Sequence, residues 1–100
     1  MKIIIPKSCK ITEKATLELK NAVKYLITKF EEKYSKEFQI FLYKNSLKVI
    51  HKKKQYVVAM VVYNEEYFWY VKPFFKSYLL LKNTDKSCLD LVLTMIKTIS

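Results

Sequence analysis

Lysine and aromatic residues alternate along the second half of the chain in a pattern that could bind a polyanion. Every second side chain of a strand lies on the same face, so Phe68, Tyr70 and Lys72 share one face. Lysines neutralise phosphates, and aromatic rings stack on bases for roughly 1–3 kcal/mol each, which suits single-stranded nucleic acid. The residues predicted to contact it are Lys44, Lys48, Lys52, Lys53, Lys54, Phe68, Tyr70, Lys72, Lys76, Tyr78 and Lys82.

The same residues also have a purely structural interpretation. Rings on both faces of a strand can belong to a two-sided core, and lysines on edge strands discourage aggregation. The sequence does not set the register that would decide between these alternatives, because a shift of one residue exchanges the two faces. The run Lys52-Lys53-Lys54 is also open to both readings, since it is typical of a solvated turn and would suit a phosphate-contacting tip.

The charge of the chain is large, positive and unevenly distributed. The net charge is +10, with 19 lysines and no arginine. Residues 38–64 contain five lysines and no acid, whereas both predicted helices are close to neutral. Such a charge indicates nucleic acid, an anionic membrane, or simply a solvated lysine-rich surface. Without the planar fork of arginine, any contact with an anion is made by point charges.

The sequence contains no recognisable catalytic or metal-binding arrangement. It has no glycine, which excludes glycine-rich loops that cradle phosphates, and it has a single histidine, His51. Glu65 and Glu66 are adjacent and point apart, so they form a poor acid–base pair. Cys9 and Cys88 lack the spacing of a disulfide framework or a metal site, which indicates reduced thiols. We therefore expect no enzymatic activity, no cofactor and no metal.

Two further patterns bear on location. No segment approaches the roughly 18 apolar residues that a membrane span requires. The apolar run before Pro6 is too short for a signal peptide. We expect a cytoplasmic protein without a membrane partner, placed in the cytoplasm of a host cell if the protein is viral.

Hydrophobic periodicity predicts a single α+β domain spanning residues 1–100. Thr12 is the predicted N-cap of a long amphipathic helix that ends near residue 35 or 36. Strands are predicted at 2–5, 38–43, 47–51, 55–63, 67–72 and 77–82, and a second helix at Thr84 or Asp85 onward. The order is β-α-β-β-β-β-α, with one more strand if the chain turns at Lys52-Lys53-Lys54 instead of forming one long bent strand. This predicts an antiparallel sheet of four to five strands, with the long N-terminal helix packed on one face and a C-terminal helix after it.

Residues 56–63 of the predicted strand are apolar on both faces, which bears on assembly. An antiparallel sheet with one solvated face should alternate apolar and polar residues, so something covers the second face. The candidates are the C-terminal helix and a second subunit, and we expect a homodimer. The apolar stripe of that helix is predicted at Cys88, Leu91, Val92, Met95, Ile96 and Ile99, widened by Leu89 and Leu93.

Two partial resemblances to known families follow from short segments. The helix that runs into KEFQIF, followed by Gln55-Tyr56-Val57-Val58-Ala59 in a strand, resembles the cystatin pattern of a long helix and a QVVAG hairpin. The glycine of that hairpin and the N-terminal glycine of the family are missing here. The strand KSYLLLK, which runs into the closing helix, is similar in outline to PC4-like and Whirly single-stranded-DNA-binding proteins. The second resemblance implies a dimer formed through such helices.

Three functional hypotheses remain from the sequence. The first is a small basic protein that binds nucleic acid through a lysine- and aromatic-rich sheet face, with a preference for single strands. The alternative is a viral or mobile-element accessory protein that binds and inhibits a host protein without catalysis, as the cystatin-like outline implies. The third is a purely structural subunit that assembles beyond a dimer.

Overall fold

The computed structural model describes residues 5–34, 36–73, 76–84 and 88–99, without the side chains of residues 28–33. Its elements are α1 (Glu13–Lys33), β1 (Phe38–Leu42), β2 (Leu47–His51), β3 (Lys54–Tyr63), β4 (Glu66–Pro73), β5 (Leu79–Lys82) and α2 (Cys88–Ile99). The predicted α+β class is confirmed, with five antiparallel strands. Five strands follow α1, which is the predicted order with the additional strand that a turn at Lys52-Lys53-Lys54 creates. Residues 2–4 of the predicted first strand lie outside the described part of the chain.

The long helix α1 begins where its cap was predicted. The Ala15 N–H donates to Thr12 Oγ1 at 3.0 Å, which satisfies one of the free amides at the helix start. Ala15, Leu19, Val23 and Leu26 recur at three- and four-residue spacing and are buried, so one stripe of α1 seals the core.

The five strands form a simple meander in which each strand pairs with its neighbours along the chain. The β2–β3 connection is a tight turn in which Lys52 and Lys53 have φ values of 50° and 67°. The alternative of one long bent strand is therefore wrong. Asn64 and Glu65 repeat this geometry between β3 and β4, with φ values of 50° and 64°. Two positive φ angles are the mark of a type I′ hairpin turn, which is formed here without glycine.

Both helices lie on the same face of the sheet, which we call the helix face. Leu89, Val92 and Ile96 of α2 are buried in the same apolar cluster as Trp69 and the inner stripe of α1. Of the two candidates for covering the second face, the C-terminal helix is therefore excluded. Leu91, assigned to the buried stripe, is 56% exposed. The stripe is rotated because the pairs at 88–89 and 92–93 face the core together, at helical spacing.

The second face of the sheet is covered in part by the N-terminal arm, residues 5–11. Lys10 and Val62 exchange backbone hydrogen bonds of 3.0 and 2.8 Å, which places the arm beside the far end of β3. Cys9 is 4% exposed and packs with Ala59, Val61 and Tyr70. The apolar second face of β3 is thus covered over half its length by its own chain. No helix in the described ranges is long and apolar enough to cross a membrane.

Candidate nucleic-acid interface

The face opposite the helices, which we call the outer face, brings two of the predicted lysines into one row. Lys48 pairs with Phe41 on one side and with Val57 on the other, and Val57 pairs with Lys72. Two strand spacings separate Lys48 from Lys72, or about 10 Å between their Cα atoms. The neighbouring row toward the β2–β3 turn contains Gln39, Ile50 and Gln55.

These two rows remain open where the N-terminal arm ends. All of their residues are half-buried or exposed, whereas Ala59 and Val61 further along β3 are fully buried. We call this surface the uncovered strip, and it consists of Gln39, Phe41, Lys48, Ile50, Gln55, Val57 and Lys72. It combines two lysines, two amides and three apolar side chains, and contains no acidic residue.

A shallow pocket opens at the end of the uncovered strip that adjoins the β2–β3 turn. Its volume is about 280 Å³, and Lys36, Lys52 and Lys53 contribute to its lining together with Gln39 and Ile50 of the strip. Glu37 also lines the pocket and places one carboxylate among the three amines. Its Oε2 lies 2.9 Å from Lys97 Nζ, an ion pair that offsets its charge. The net field of the pocket is therefore positive.

The predicted aromatic residues do not share one environment. Tyr70 is 2% exposed beneath the N-terminal arm, so its ring is a core residue with no face to offer a base. Tyr78, 42% exposed, stacks on it at 5.5 Å between ring centroids. Phe68 is half-buried and meets Tyr63 edge-on at 5.6 Å. The structural interpretation thus holds for Tyr70 and in part for Phe68.

The remaining lysines of the predicted set are also distributed among several surfaces. Lys52 and Lys53 form the exposed turn, and Lys54 is exposed at the start of β3, opposite His51 and hence on the helix face. Lys44 lies in the exposed β1–β2 connection, and Lys76 lies in the β4–β5 connection, where its backbone carbonyl contacts Lys72. The structure therefore gathers Lys48, Lys72 and the turn, brings the backbone of Lys76 to Lys72, and leaves Lys44 and Lys54 apart.

Two lysines of the set have partners within the protein. Lys72 Nζ donates to the backbone carbonyl of Pro73 at 3.1 Å and to that of Lys76. These bonds hold the amine at the end of β4 but leave its charge uncompensated. Lys82 Nζ lies 3.1 Å from Glu66 Oε1, in an ion pair with both side chains more than half exposed. Lys82 consequently adds little positive field to the outer face.

Phe41 is a candidate contact that sequence reasoning missed. It lies beside Lys48 in the row and is 47% exposed, so its ring can be reached from solvent. Its period-two relation to Gln39 and its strand's hairpin with Lys48 were visible in the sequence. The segment around Tyr70 is richer in aromatic residues and therefore gives the stronger pattern in the sequence.

His51 points away from the outer face and into the core. It is 1% exposed, its ring stacks on Phe38 at 4.8 Å, and its Nε2 lies 4.0 Å from Glu37 Oε2. Burial lowers the pKa of His51, and the positive charge of Lys52 lowers it further, against the opposing effect of Glu37. The histidine is therefore held neutral and acts as a packing residue beneath the lysine turn.

The segment that resembles cystatins lies inside a strand. Gln55 to Ala59 forms the first half of β3, and the hairpin tip before it is occupied by Lys52 and Lys53.

Among the described residues, no group of three or more His, Cys, Asp or Glu is placed to hold a metal ion. The chain matches no protein-family model, no curated protein and no solved structure at a significant level.

Proposed function

We propose that this protein binds nucleic acid, preferentially single-stranded, on the uncovered strip and the adjacent β2–β3 turn. The observation that carries the proposal is the row in which Lys48 and Lys72 flank an apolar surface with the exposed ring of Phe41 at its edge. Lysines at strand spacing follow a phosphate backbone, and an exposed ring stacks on an unpaired base.

The chemistry of the strip also favours one mode of recognition. Duplex readout depends on side chains that hydrogen-bond base edges, most often the bidentate arginine fork, which this chain lacks. A flat row of amines and apolar groups suits a strand whose bases are free to stack. We therefore propose weak dependence on base sequence and strong dependence on salt.

A fluorescence anisotropy titration with labelled single-stranded and double-stranded oligonucleotides tests the proposal. The logarithm of the affinity for a single strand should fall linearly with the logarithm of the salt concentration, with a slope of about −0.7 for each phosphate neutralised. The variant Lys52→Gln/Lys53→Gln should make this slope shallower by about 1.4, because it removes two contacts.

The matched control is Lys20→Gln/Lys24→Gln, which removes the same charge from exposed positions on α1. Phe41→Ser should weaken single-strand binding by about 1–3 kcal/mol, as the loss of one stacked ring predicts. Absence of binding at low salt, or an equal effect of the two lysine pairs, would overturn the proposal. If nucleic acid is not bound at low salt, salt-independent capture of a protein would favour the alternative of an accessory protein that inhibits a host protein.

A further inference from the structure

The two edges of the sheet differ in how they are protected. β5, at one edge, has four residues, and its terminal Lys82 is paired with Glu66. β1, at the other edge, has five residues, FQIFL, with neither a charge nor a proline. Within the described ranges no strand lies beyond β1. Short strands and lysines are the usual protection of an edge against pairing, so only the β5 edge is protected.

The hydrogen-bonding phase of β1 shows which of its groups face outward. The Tyr43 N–H donates to the Ser46 carbonyl at 2.8 Å, which makes this a hydrogen-bonded pair of the β1–β2 ladder. Such pairs alternate along an antiparallel ladder, so the N–H and C=O of Ile40 and Leu42 point away from β2. The Phe38 N–H is already bonded to the Tyr34 carbonyl at 2.8 Å, and its own carbonyl points outward.

We infer that β1 pairs with β1 of a second copy of this chain, antiparallel and centred on Ile40. In this register the two Ile40 residues exchange both backbone hydrogen bonds. Leu42 N–H donates to the carbonyl of Phe38 of the second copy. The Phe38 N–H, which is already bonded to Tyr34, needs no partner in the second copy. The Leu42 carbonyl is then the outward backbone group of β1 that stays without a hydrogen bond. A two-fold axis perpendicular to the sheet gives this arrangement and keeps the helices of both copies on one side.

The strand is complementary to itself, because its outward backbone groups pair about Ile40 and its five side chains carry no charge. Of the two edge strands in the described part of the chain, β5 ends in Lys82 and β1 itself contains no lysine. The register places Phe38 opposite Leu42 on the helix face and Gln39 opposite Phe41 on the outer face. Leu42, 50% exposed in the single chain, would then be buried against Phe38 of the second copy, while the ring of Phe41 stays on the outer face.

The pairing deepens the proposed function, on which this part of the inference rests. The two uncovered strips meet across the two-fold axis on the same side of a ten-stranded sheet. The two Phe41 residues become diagonal neighbours with Cα atoms about 7–8 Å apart, and each copy supplies one of the rings. One oligonucleotide is therefore expected to cross both copies, with a stoichiometry of one strand per dimer.

The register also brings Lys36 near Lys44 of the second copy at both ends of the pairing. Both side chains are exposed, so their repulsion is screened by salt. Raised salt should therefore tighten the dimer while it weakens nucleic-acid binding. The opposite signs keep the two proposals experimentally separate.

Sedimentation equilibrium of the full chain without nucleic acid tests the inference. The wild type should form a dimer, twice the chain mass of 12.0 kDa, in the micromolar range. Leu42→Lys, which places a charge on the edge, should sediment as a monomer with an unchanged circular dichroism spectrum. Leu91→Lys, at a leucine of α2 that is 56% exposed, is the matched control and should remain dimeric.

A cross-link provides a second measurement if Leu42→Lys fails to fold. In a Cys9→Ser/Cys88→Ser background, an equimolar mixture of Gln39→Cys and Phe41→Cys proteins should form disulfide-linked heterodimers on mild oxidation. The paired Cα atoms would be about 4.5–5.5 Å apart, within the range of a disulfide. A wild type that stays monomeric throughout, a Leu42→Lys variant that remains dimeric, or the absence of the heterodimer would overturn the inference, whatever the titration with oligonucleotides shows.

Discussion

Tyr34 donates a hydrogen bond of 2.5 Å to Asp90 Oδ1, and this contact joins the C-terminal end of α1 to the first turn of α2. The two residues are 56 positions apart, so the bond fixes the relative placement of the helices on the helix face. Tyr34 also meets Phe38 edge-on at 5.8 Å, which connects the helix pair to β1. The corner where α1, α2 and β1 meet is therefore held by one short polar contact within an aromatic cluster.

The first prediction concerns high pH. Burial and the bonded, negatively charged Asp90 raise the pKa of Tyr34 to about 12. Because the unfolded tyrosine ionises near pH 10, the free energy of unfolding should fall as pH rises from about 10 towards 12. In Tyr34→Phe, the free energy of unfolding should depend less on pH in this range. At neutral pH it should be lower by about 1–3 kcal/mol, because the Asp90 carboxylate loses its hydrogen-bond donor. Urea unfolding followed by circular dichroism measures both, and an unchanged alkaline profile in the variant would contradict the prediction.

Acid should destabilise the protein through His51. Its pKa is lowered in the folded state, chiefly by burial, so the unfolded chain binds a proton more readily. The free energy of unfolding should therefore fall as pH drops below about 6.5, the pKa of an unperturbed histidine. His51→Gln keeps a neutral side chain and should flatten this part of the profile. If both proteins lose stability in parallel between pH 7 and 5, His51 is not the group responsible.

The turn between β3 and β4 should be improvable by one substitution. Glu65 has a φ of 64°, a region that costs a residue with a Cβ atom about 1 kcal/mol and costs glycine almost nothing. Glu65→Gly also creates Asn-Gly, the sequence preferred in type I′ turns. The urea concentration at the midpoint of unfolding should be higher for Glu65→Gly than for the wild type. Glu65→Ala removes the same charge without relieving the backbone, so an equal gain in that variant would show that charge is the cause.

The orientation of α2 can be tested with two leucines. Leu93 is fully buried and Leu91 is 56% exposed, two positions apart on one helix. Leu93→Ala should lower the free energy of unfolding by about 2–5 kcal/mol because it leaves a cavity in the core. Leu91→Ala should change it by less than about 0.5 kcal/mol. Comparable losses at both positions would mean that α2 also buries its other side.

Local patterns in the sequence were sufficient for the elements but not for how the second face is covered. Thr12, the period of α1 and the alternation in β2 determined the helix start and which residues of that strand face the core. The rotated stripe of α2 could not be predicted, because leucines almost surround that helix and only packing selects among them. The arm was missed for a related reason: the Lys10–Val62 contact joins residues 52 positions apart, which no local period reveals.

The candidate site was predictable only in part for the same physical reason. Alternation predicted that Lys48 and Lys72 each point away from the core residues of their own strands, since period two is a property of the strand itself. The register that brings the two lysines into one row is seen only in the structure. Whether a ring on that face is open depends on what lies above it, and Cys9 lies above Tyr70 but not above Phe41. Exposure is a tertiary property, so the sequence could place Phe41 on a strand beside Lys48 but could not show that its ring is open.

The position of Trp69 determines what the protein's intrinsic fluorescence can report. The single tryptophan is fully buried on the helix face, and its indole N–H donates to Asn83 Oδ1 at 3.0 Å. The whole thickness of the sheet lies between this chromophore and the uncovered strip. Its fluorescence emission should therefore change when the core unfolds and should not change when a ligand binds to the uncovered strip.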